Sequence, residues 1–321
     1  MLDAAPYHAD VADAPEATQA FWVRADDGLR LRLSHSPAAN ACGTVLIFAG
    51  RSEYVEKYGF VARELAARGY ASLTIDWRGQ GLSDRLLDDP MPGHVALFSD
   101  YQRDVRAMVA AASALNLPRP WHLLGHSMGG CIGLRALLNG LDVASCSFTG
   151  PMWGIHISEV LRPFAWSLSW GSRWLGLGHR HPPSTQATCY VLSEPFETNK
   201  LTNDADMYRA MIEQVTRHPK LALGGPTMVW LNEALRECRD LARMPSPALP
   251  CLTVAGTDED IVDLGRLTNR MERWPGGHLE WVAGGQHEVL MDTPATRTRI
   301  LDMLAAFYSE AGSANAARHA G

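Results

Sequence analysis

The sequence predicts an α/β fold: a mostly parallel sheet with helices on both faces, interrupted by an inserted cap. Three observations predict it. Short apolar runs alternate with helix-patterned stretches between residues 44 and 148, and again between 226 and 311. A glycine-flanked serine, Gly125-His126-Ser127-Met128-Gly129, stands where one such run meets one such helix. Between residues 151 and 225 the alternation stops, and tryptophan, glycine and proline gather instead.

Taken in order, residues 1–17 are rich in alanine and aspartate and are expected to be loose. Phe21–Ser34 alternates apolar and polar residues around Asp27-Gly28, a hairpin signal. Thr44–Ala49 is a short apolar strand of the kind buried in a parallel sheet. Val55–Arg68 has helical spacing and stops at Gly69. Ala71–Asp76 is the next strand, and Arg78–Arg85 is loop. Phe98–Leu115 is helical, closed by Pro118 and Pro120. The strand from Trp121 and the helix from Cys131 flank the serine turn, and Ala144–Phe148 is a further strand. After residue 225 the pattern resumes: helix Pro226–Arg239, strand Cys251–Ala255, helix Val262–Arg273, strand Leu279–Val282, helix Ala295–Ala311. The expected organisation is a flexible N-terminus (1–17), a core from 18–150 and 226–312, a helical cap insertion (151–225) and a flexible tail (313–321).

Length and composition suit one large globular unit with an insertion: 321 residues, 46% hydrophobic and 20% charged. The net charge of -6 argues against nucleic acid as a partner. The cysteines (42, 131, 146, 189, 238, 251) lack metal or redox spacing and read as reduced core thiols. Met1–Asp13 carries no basic-then-apolar leader, and no apolar run reaches transmembrane length. The expected location is the cytoplasm, with peripheral contact at the inner membrane face through the cap. Within that cap Ile157, Leu161, Phe164, Leu168 and Leu175 recur near helical spacing, and Trp166, Trp170 and Trp174 fall four apart. His179 and His181 lack a third ligand, so no metal is expected, and no cofactor.

The chemistry centres on Ser127. A strand-to-helix turn this sharp needs glycine at 125 and 129, and it thrusts the serine out at the strand end. The first amide of the following helix, that of Met128, can donate to an oxyanion there. A serine hydroxyl needs a base, and the order nucleophile–acid–histidine places it late in the chain. His287 follows strand Leu279–Val282 through Ala283-Gly284-Gly285-Gln286, whereas His278 lies at the wrong strand end. The acid belongs after strand Cys251–Ala255, among Asp258, Glu259 and Asp260. A second oxyanion donor is expected from Gly50-Arg51-Ser52-Glu53, at the amide of Arg51. The Arg51 side chain has two readings: a substrate phosphate, or an ion pair with Glu53 or Asp84.

With these residues in place the chain resembles the bacterial lysophospholipase and monoacylglycerol lipase group of α/β-hydrolases. The resemblance rests on Ala49-Gly50-Arg51-Ser52-Glu53, Ile75-Asp76-Trp77-Arg78-Gly79-Gln80-Gly81-Leu82-Ser83, Gly125-His126-Ser127-Met128-Gly129-Gly130, and Ile261-Val262-Asp263 ahead of His287-Glu288. Leu201-Thr202-Asn203-Asp204 and Leu223-Gly224-Gly225-Pro226-Thr227 resemble the lysophospholipase side. In many hydrolases of this fold the acid stands three residues after the strand-ending glycine and four before the closing aspartate. That position is Glu259, with Asp258 the alternative under a one-residue slip. The chain departs from the pattern at Ala49, where a histidine is common. The resemblance implies a serine ester hydrolase acting on a single-chain lipid, a lysophospholipid or monoacylglycerol, through an acyl-enzyme. A small-ester carboxylesterase, an acyltransferase and a non-catalytic binding protein are the alternatives.

Overall fold

Apolar runs too short for buried helices become the strands of one nine-stranded sheet. In the computed structural model, which describes residues 2–157, 171, 176–183, 185 and 187–319, these are β1 (Asp3–Ala4), β2 (Gln19–Arg24), β3 (Arg30–Ser36), β4 (Gly43–Phe48), β5 (Tyr70–Asp76), β6 (Trp121–His126), β7 (Ser145–Thr149), β8 (Cys251–Gly256) and β9 (Gly277–Val282). Their order across the sheet is β1-β2-β3-β5-β4-β6-β7-β8-β9. The pairs from β1 to β5 are antiparallel, and those from β5 through β9 are parallel. Strands β4, β5, β6, β7 and β8 are buried at every residue, as a sheet covered on both faces requires. The hairpin turns at Gly28, whose φ of +84° suits glycine.

The described helices are α1 (Ala9–Ala12), α2 (Gly59–Ala67), α3 (Tyr101–Ala114), α4 (Met128–Leu138), α5 (Tyr190–Ser193), α6 (Ala205–Arg217), α7 (Met228–Arg243), α8 (Leu264–Glu272) and α9 (Pro294–His319). Helix α2 packs on β5 and touches α9, whereas α3 and α7 both pack against α4. The helix expected from Val55 instead begins with a 3₁₀ turn, Val55–Tyr58, whose first amide donates to Asp76 Oδ1 at 2.8 Å.

The chain runs outward along β4, returns to lay β5 on one side of it, and then crosses to β6 on the other. This reversal opens a crevice at the carboxyl ends of β4 and β6, the place where ligands bind in such sheets. Phe48 and Gly125 stand abreast in register there. Past β7 the chain leaves the sheet. Helix α6, N-capped by the Asp204 side chain, buries Tyr208, Met211 and Val215 against Cys189, Val191, Leu221 and Met291. Tyr54, in the loop after β4, joins this second core, so the insertion covers the mouth of the crevice. Of the apolar cap positions singled out by spacing, Leu161, Phe164, Trp166, Leu168, Trp170, Trp174 and Leu175 lie outside the described residues.

Two expectations are corrected. The N-terminus is not loose: β1 pairs with β2, and α1 lies on α6. Gln214 Nε2 donates to the Val11 carbonyl at 2.9 Å, and Arg32 Nη1 to that of Pro6 at 3.0 Å. Composition alone hides such anchoring, because the partners are more than 20 residues away. The tail beyond 312 is not a frayed coil either, since α9 continues to His319. Its small residues, mostly alanine, are good helix formers.

Candidate active site

Strand β6 delivers Ser127 into a strained conformation, φ +49° and ψ -118°, which only a fully determined turn tolerates. The turn is pinned on both sides. The Ser127 amide donates to Thr149 O at 3.0 Å, and its carbonyl accepts from Gly130 at 2.9 Å and Met152 at 2.8 Å. Glycine at 129 is compulsory, since a Cβ there would stand 1.9 Å from the Phe48 carbonyl oxygen. That close approach brings the start of α4 against the end of β4. Met128 is the first residue of α4, and an amide at that position has no acceptor within its helix.

His287 follows β9 as the sequence suggested. Its Nδ1 lies 2.6 Å from Glu259 Oε2. The other oxygen of Glu259 accepts from the amides of Ile261 (2.7 Å) and Val262 (3.2 Å). Burial pushes the Glu259 carboxyl up, but the His287 hydrogen bond, its charge and the two amides outweigh this, and the net shift is downward. Asp258 sits in solvent, its side chain accepting from Thr257 Oγ1 at 3.2 Å. Asp260 pairs with Lys200. Ser127 and His287 open on the same cavity. Among the described residues no hydrogen bond joins the Ser127 hydroxyl to the imidazole, a distance that commonly tightens only with substrate in place.

The loop after β4 is held by its carbonyls. Trp77 Nε1 donates to Ala49 O (2.8 Å), and Gln80 Nε2 to Gly50 O (2.8 Å) and Glu53 O (3.0 Å). The Arg51 amide has no acceptor among the described residues, which leaves it free to donate to a ligand. Beneath this loop lies a buried cluster that spacing did not reveal. Lys57 Nζ is 2.6 Å from both Glu53 Oε1 and Glu288 Oε1. Glu53 Oε2 accepts from Tyr58 (2.6 Å) and from the Gly50 amide. His126, just before the serine, donates through Nδ1 to the Thr149 carbonyl at 3.0 Å. Its Nε2 faces Glu288 at 3.3 Å and Glu53 at 3.6 Å. Burial disfavours the imidazolium, but the charges of Glu288 and Glu53 prevail, so its pKa is raised. Burial likewise opposes the Glu288 carboxylate, and His126 and Lys57 overcome it, holding the pKa well below the usual range. The one legible hint was Lys57 four residues after Glu53. Glu53, His126 and Glu288 are also close enough to ligate a cation, but Lys57 already occupies that role.

The segment Asn199–Asn203 clamps the histidine loop from the cap side. Leu201 O accepts from the Glu288 amide at 2.7 Å, and Asn203 Nδ2 donates to Gly284 O at 2.8 Å. The cavity has a volume of about 730 Å³. Apolar side chains from the core and the cap dominate its wall, among them Met152, Val191, Met211, Met228, Trp230 and Leu231. Arg51 also lines it, and here neither expected ion pair forms. Glu53 is committed to Lys57, and Asp84 to Arg30 at 3.3 Å. Arg51 Nη1 instead donates to Gly224 O at 3.0 Å, with the guanidinium 5.6 Å from the Trp230 ring centre.

Comparison with known proteins agrees with this fold. Lysophospholipase L2 of Escherichia coli (strain K12) is 30% identical over 317 residues, covering 91% of this chain and 90% of the relative. The probable lysophospholipase L2 of Haemophilus influenzae is 28% identical, covering 80% of each. Among solved structures, a soluble variant of monoglyceride lipase from Saccharomyces cerevisiae superposes with a TM-score of 0.70 at 18% identity, over 96% of this chain and 99% of that one. A thermostable carboxyl esterase from Bacillus coagulans gives a TM-score of 0.74 at 13% identity, over 92% and 99%. At such identities the structural likeness speaks for the fold. A family model described as serine aminopeptidase, S33, matches residues 39–294. Most of the length thus carries the family's pattern around a strand–serine–helix turn, and the chain belongs to the serine aminopeptidase S33 family of α/β-hydrolases.

Proposed function

We propose that the protein hydrolyses the acyl ester of a single-chain lipid, a lysophospholipid or a monoacylglycerol, through an acyl-enzyme on Ser127. The observation that carries the reading is the opening of Ser127 and of His287, itself bonded to the buried Glu259, onto one mainly apolar cavity. His287 takes the hydroxyl proton as Ser127 Oγ attacks the ester carbonyl carbon. Glu259 fixes the imidazole with its proton on Nδ1 and stabilises the imidazolium that forms. The amides of Met128 and Arg51 receive the oxyanion. The alcohol leaves with the proton from His287. Water, deprotonated by the same imidazole, then releases the fatty acid and restores Ser127.

The cavity's apolar wall suits an alkyl chain, and the relatives named above support lipid esters as a class. Leu177, Tyr190 and Leu192 are exposed, and Tyr190 also lines the cavity, which fits entry of a chain from a lipid surface. Among the described residues no helix is long and apolar enough to cross a membrane.

The test is direct. Ser127→Ala is expected to lower kcat by about 10⁴–10⁶ and to abolish labelling by a fluorophosphonate, with the thermal unfolding curve kept. Near-normal turnover in that variant would overturn the assignment. Offering lysophosphatidylcholine, monoacylglycerol and p-nitrophenyl butyrate to the wild-type protein tests the lipid reading. Cleavage of the butyrate alone would replace it with a small-ester carboxylesterase. Acyl transfer to an added alcohol in preference to water would make it an acyltransferase.

A further inference from the structure

Charge is unevenly matched around the cavity. Lys57 lies between two carboxylates. Elsewhere in the core Arg32 is held by Glu56 and Asp76, and Arg78 by Asp104 and Asp27. Arg85, which points at the same stretch of chain as Arg51, places its donors on the carbonyls of Gly79, Gly81, Lys220 and Ala222. Arg51 has a single carbonyl partner, Gly224, and no carboxylate within 4 Å among the described residues. A guanidinium offers five N–H donors, so most of this one's have no partner among the described residues. A carbonyl does not neutralise a full charge, and the half-buried Arg51 guanidinium gives up part of its hydration without gaining a counter-ion among the described residues. Desolvation brings the Arg51 pKa down to about 10, which still leaves it cationic at neutral pH. Its neighbour Ser52 has a buried hydroxyl, also without a partner among the described residues, on a backbone at φ +66°.

We propose that the Arg51 side chain binds the phosphate of the substrate's head group, so that the favoured ester is a lysophospholipid rather than a neutral monoacylglycerol. This rests on the lipid-ester reading above and sharpens it. The same residue spans both groups. Its backbone amide faces the ester oxyanion, and its guanidinium lies as many bonds from that amide as a lysophospholipid's phosphorus lies from its ester carbonyl carbon. The Trp230 ring, 5.6 Å away, and the bond to Gly224 hold the guanidinium and leave its other N–H groups for phosphate oxygens. The phosphate supplies the counter-ion that no described residue provides.

The experiment measures kcat/KM for lysophosphatidylcholine and for the monoacylglycerol of the same acyl chain, with the wild type, Arg51→Gln and Arg51→Lys. The readout is the ratio between the two lipids, because a disturbance of the neighbouring oxyanion loop lowers both rates together and cancels. The ratio is expected to fall about tenfold or more in Arg51→Gln, and less in Arg51→Lys, which keeps the charge. A ratio unchanged within about twofold in Arg51→Gln overturns the proposal. Should that variant fail to fold, inhibition of p-nitrophenyl butyrate hydrolysis in the wild type decides. Dodecyl phosphate is then expected to compete about tenfold better than dodecanol. Equal competition, or tighter binding of dodecanoate than of dodecyl phosphate, overturns the proposal, the latter by assigning Arg51 to the product carboxylate. A wild type that cleaves neither lipid overturns the lipid reading itself; a flat ratio on an active lipid hydrolase overturns only the role of Arg51.

Discussion

The acid of the site turns on one residue of loop. Asp258, Glu259 and Asp260 are adjacent, yet their surroundings differ completely. Glu259 is buried on His287 with two backbone amides on its second oxygen, Asp258 faces water, and Asp260 faces Lys200. Counting along the chain favoured 259 but left 258 open. What separates them is the bend that turns one side chain inward, and a bend depends on what the loop packs against. Glu259→Gln is expected to cost about 10³–10⁴ in kcat, since an amide cannot stabilise the imidazolium and favours the wrong tautomer. Asp258→Asn is expected to stay within about twofold of wild type. Pre-steady-state acylation of both variants checks this, and an Asp258→Asn loss as large as that of Glu259→Gln would reverse the assignment.

At the scale of elements, three short segments converge at the carboxyl edge of the sheet: the loop after β4, the turn after β6 and the loop after β9. The turn was legible because glycine spacing encodes it. The other two are shaped by partners far away in sequence. Trp77 and Gln80 sit in a run that resembles the family pattern, but their task emerges only in the fold, where they take the carbonyls of Ala49, Gly50 and Glu53, while the Arg51 amide keeps no acceptor among the described residues. Gln80→Ala strips donors from two buried carbonyls. It is expected to cost about 1–3 kcal/mol of stability and to lower kcat more than it raises KM, because the oxyanion loop is no longer held. Urea unfolding with steady-state kinetics on one ester gives both numbers. A KM effect with kcat untouched would show that the loop does not depend on this clamp. The Asn199–Asn203 segment holds the loop after β9 differently, accepting the Glu288 amide on Leu201 O and donating from Asn203 Nδ2 to Gly284 O, which ties that segment to the His287 loop.

At the scale of the molecule, pH tests how the buried charges are arranged. His122, on β6 beneath Tyr308 of α9, has its pKa lowered by burial to about 4. A histidine whose pKa falls on folding makes the unfolded state bind more protons, so stability declines as pH drops from about 6.5 towards 4. Glu259 and Glu288, held below the usual carboxylate range, contribute stability that is present above about 4.5 and is lost as pH falls through their folded values. His126 works the other way: its raised pKa contributes below about 6.5 and fades as pH rises through its folded value. Urea unfolding between pH 4 and 9 is therefore expected to show an acid limb that begins near 6.5 and steepens below 4.5. His122→Gln is expected to shallow the first part of that limb, by at most about 3 kcal/mol, leaving the smaller share of His35, whose pKa burial also lowers. An unchanged slope in the variant would show that His122 does not titrate there.

By itself the sequence determined the alternation of strand and helix, the serine turn, the late histidine and the place where the sheet's rhythm is interrupted. Each is a local matter of periodicity or glycine spacing, set by the dihedrals a few residues can adopt. Only the tertiary structure decided which acid meets His287, that the N-terminus is tied to helix α6, that a buried Lys57–Glu53–Glu288–His126 cluster underlies the site, and that Arg51 has no carboxylate beside it among the described residues. Those depend on contacts between residues up to about 230 positions apart. Such partners are chosen by packing, where desolvation makes an unmatched charge costly, and no local pattern records that choice.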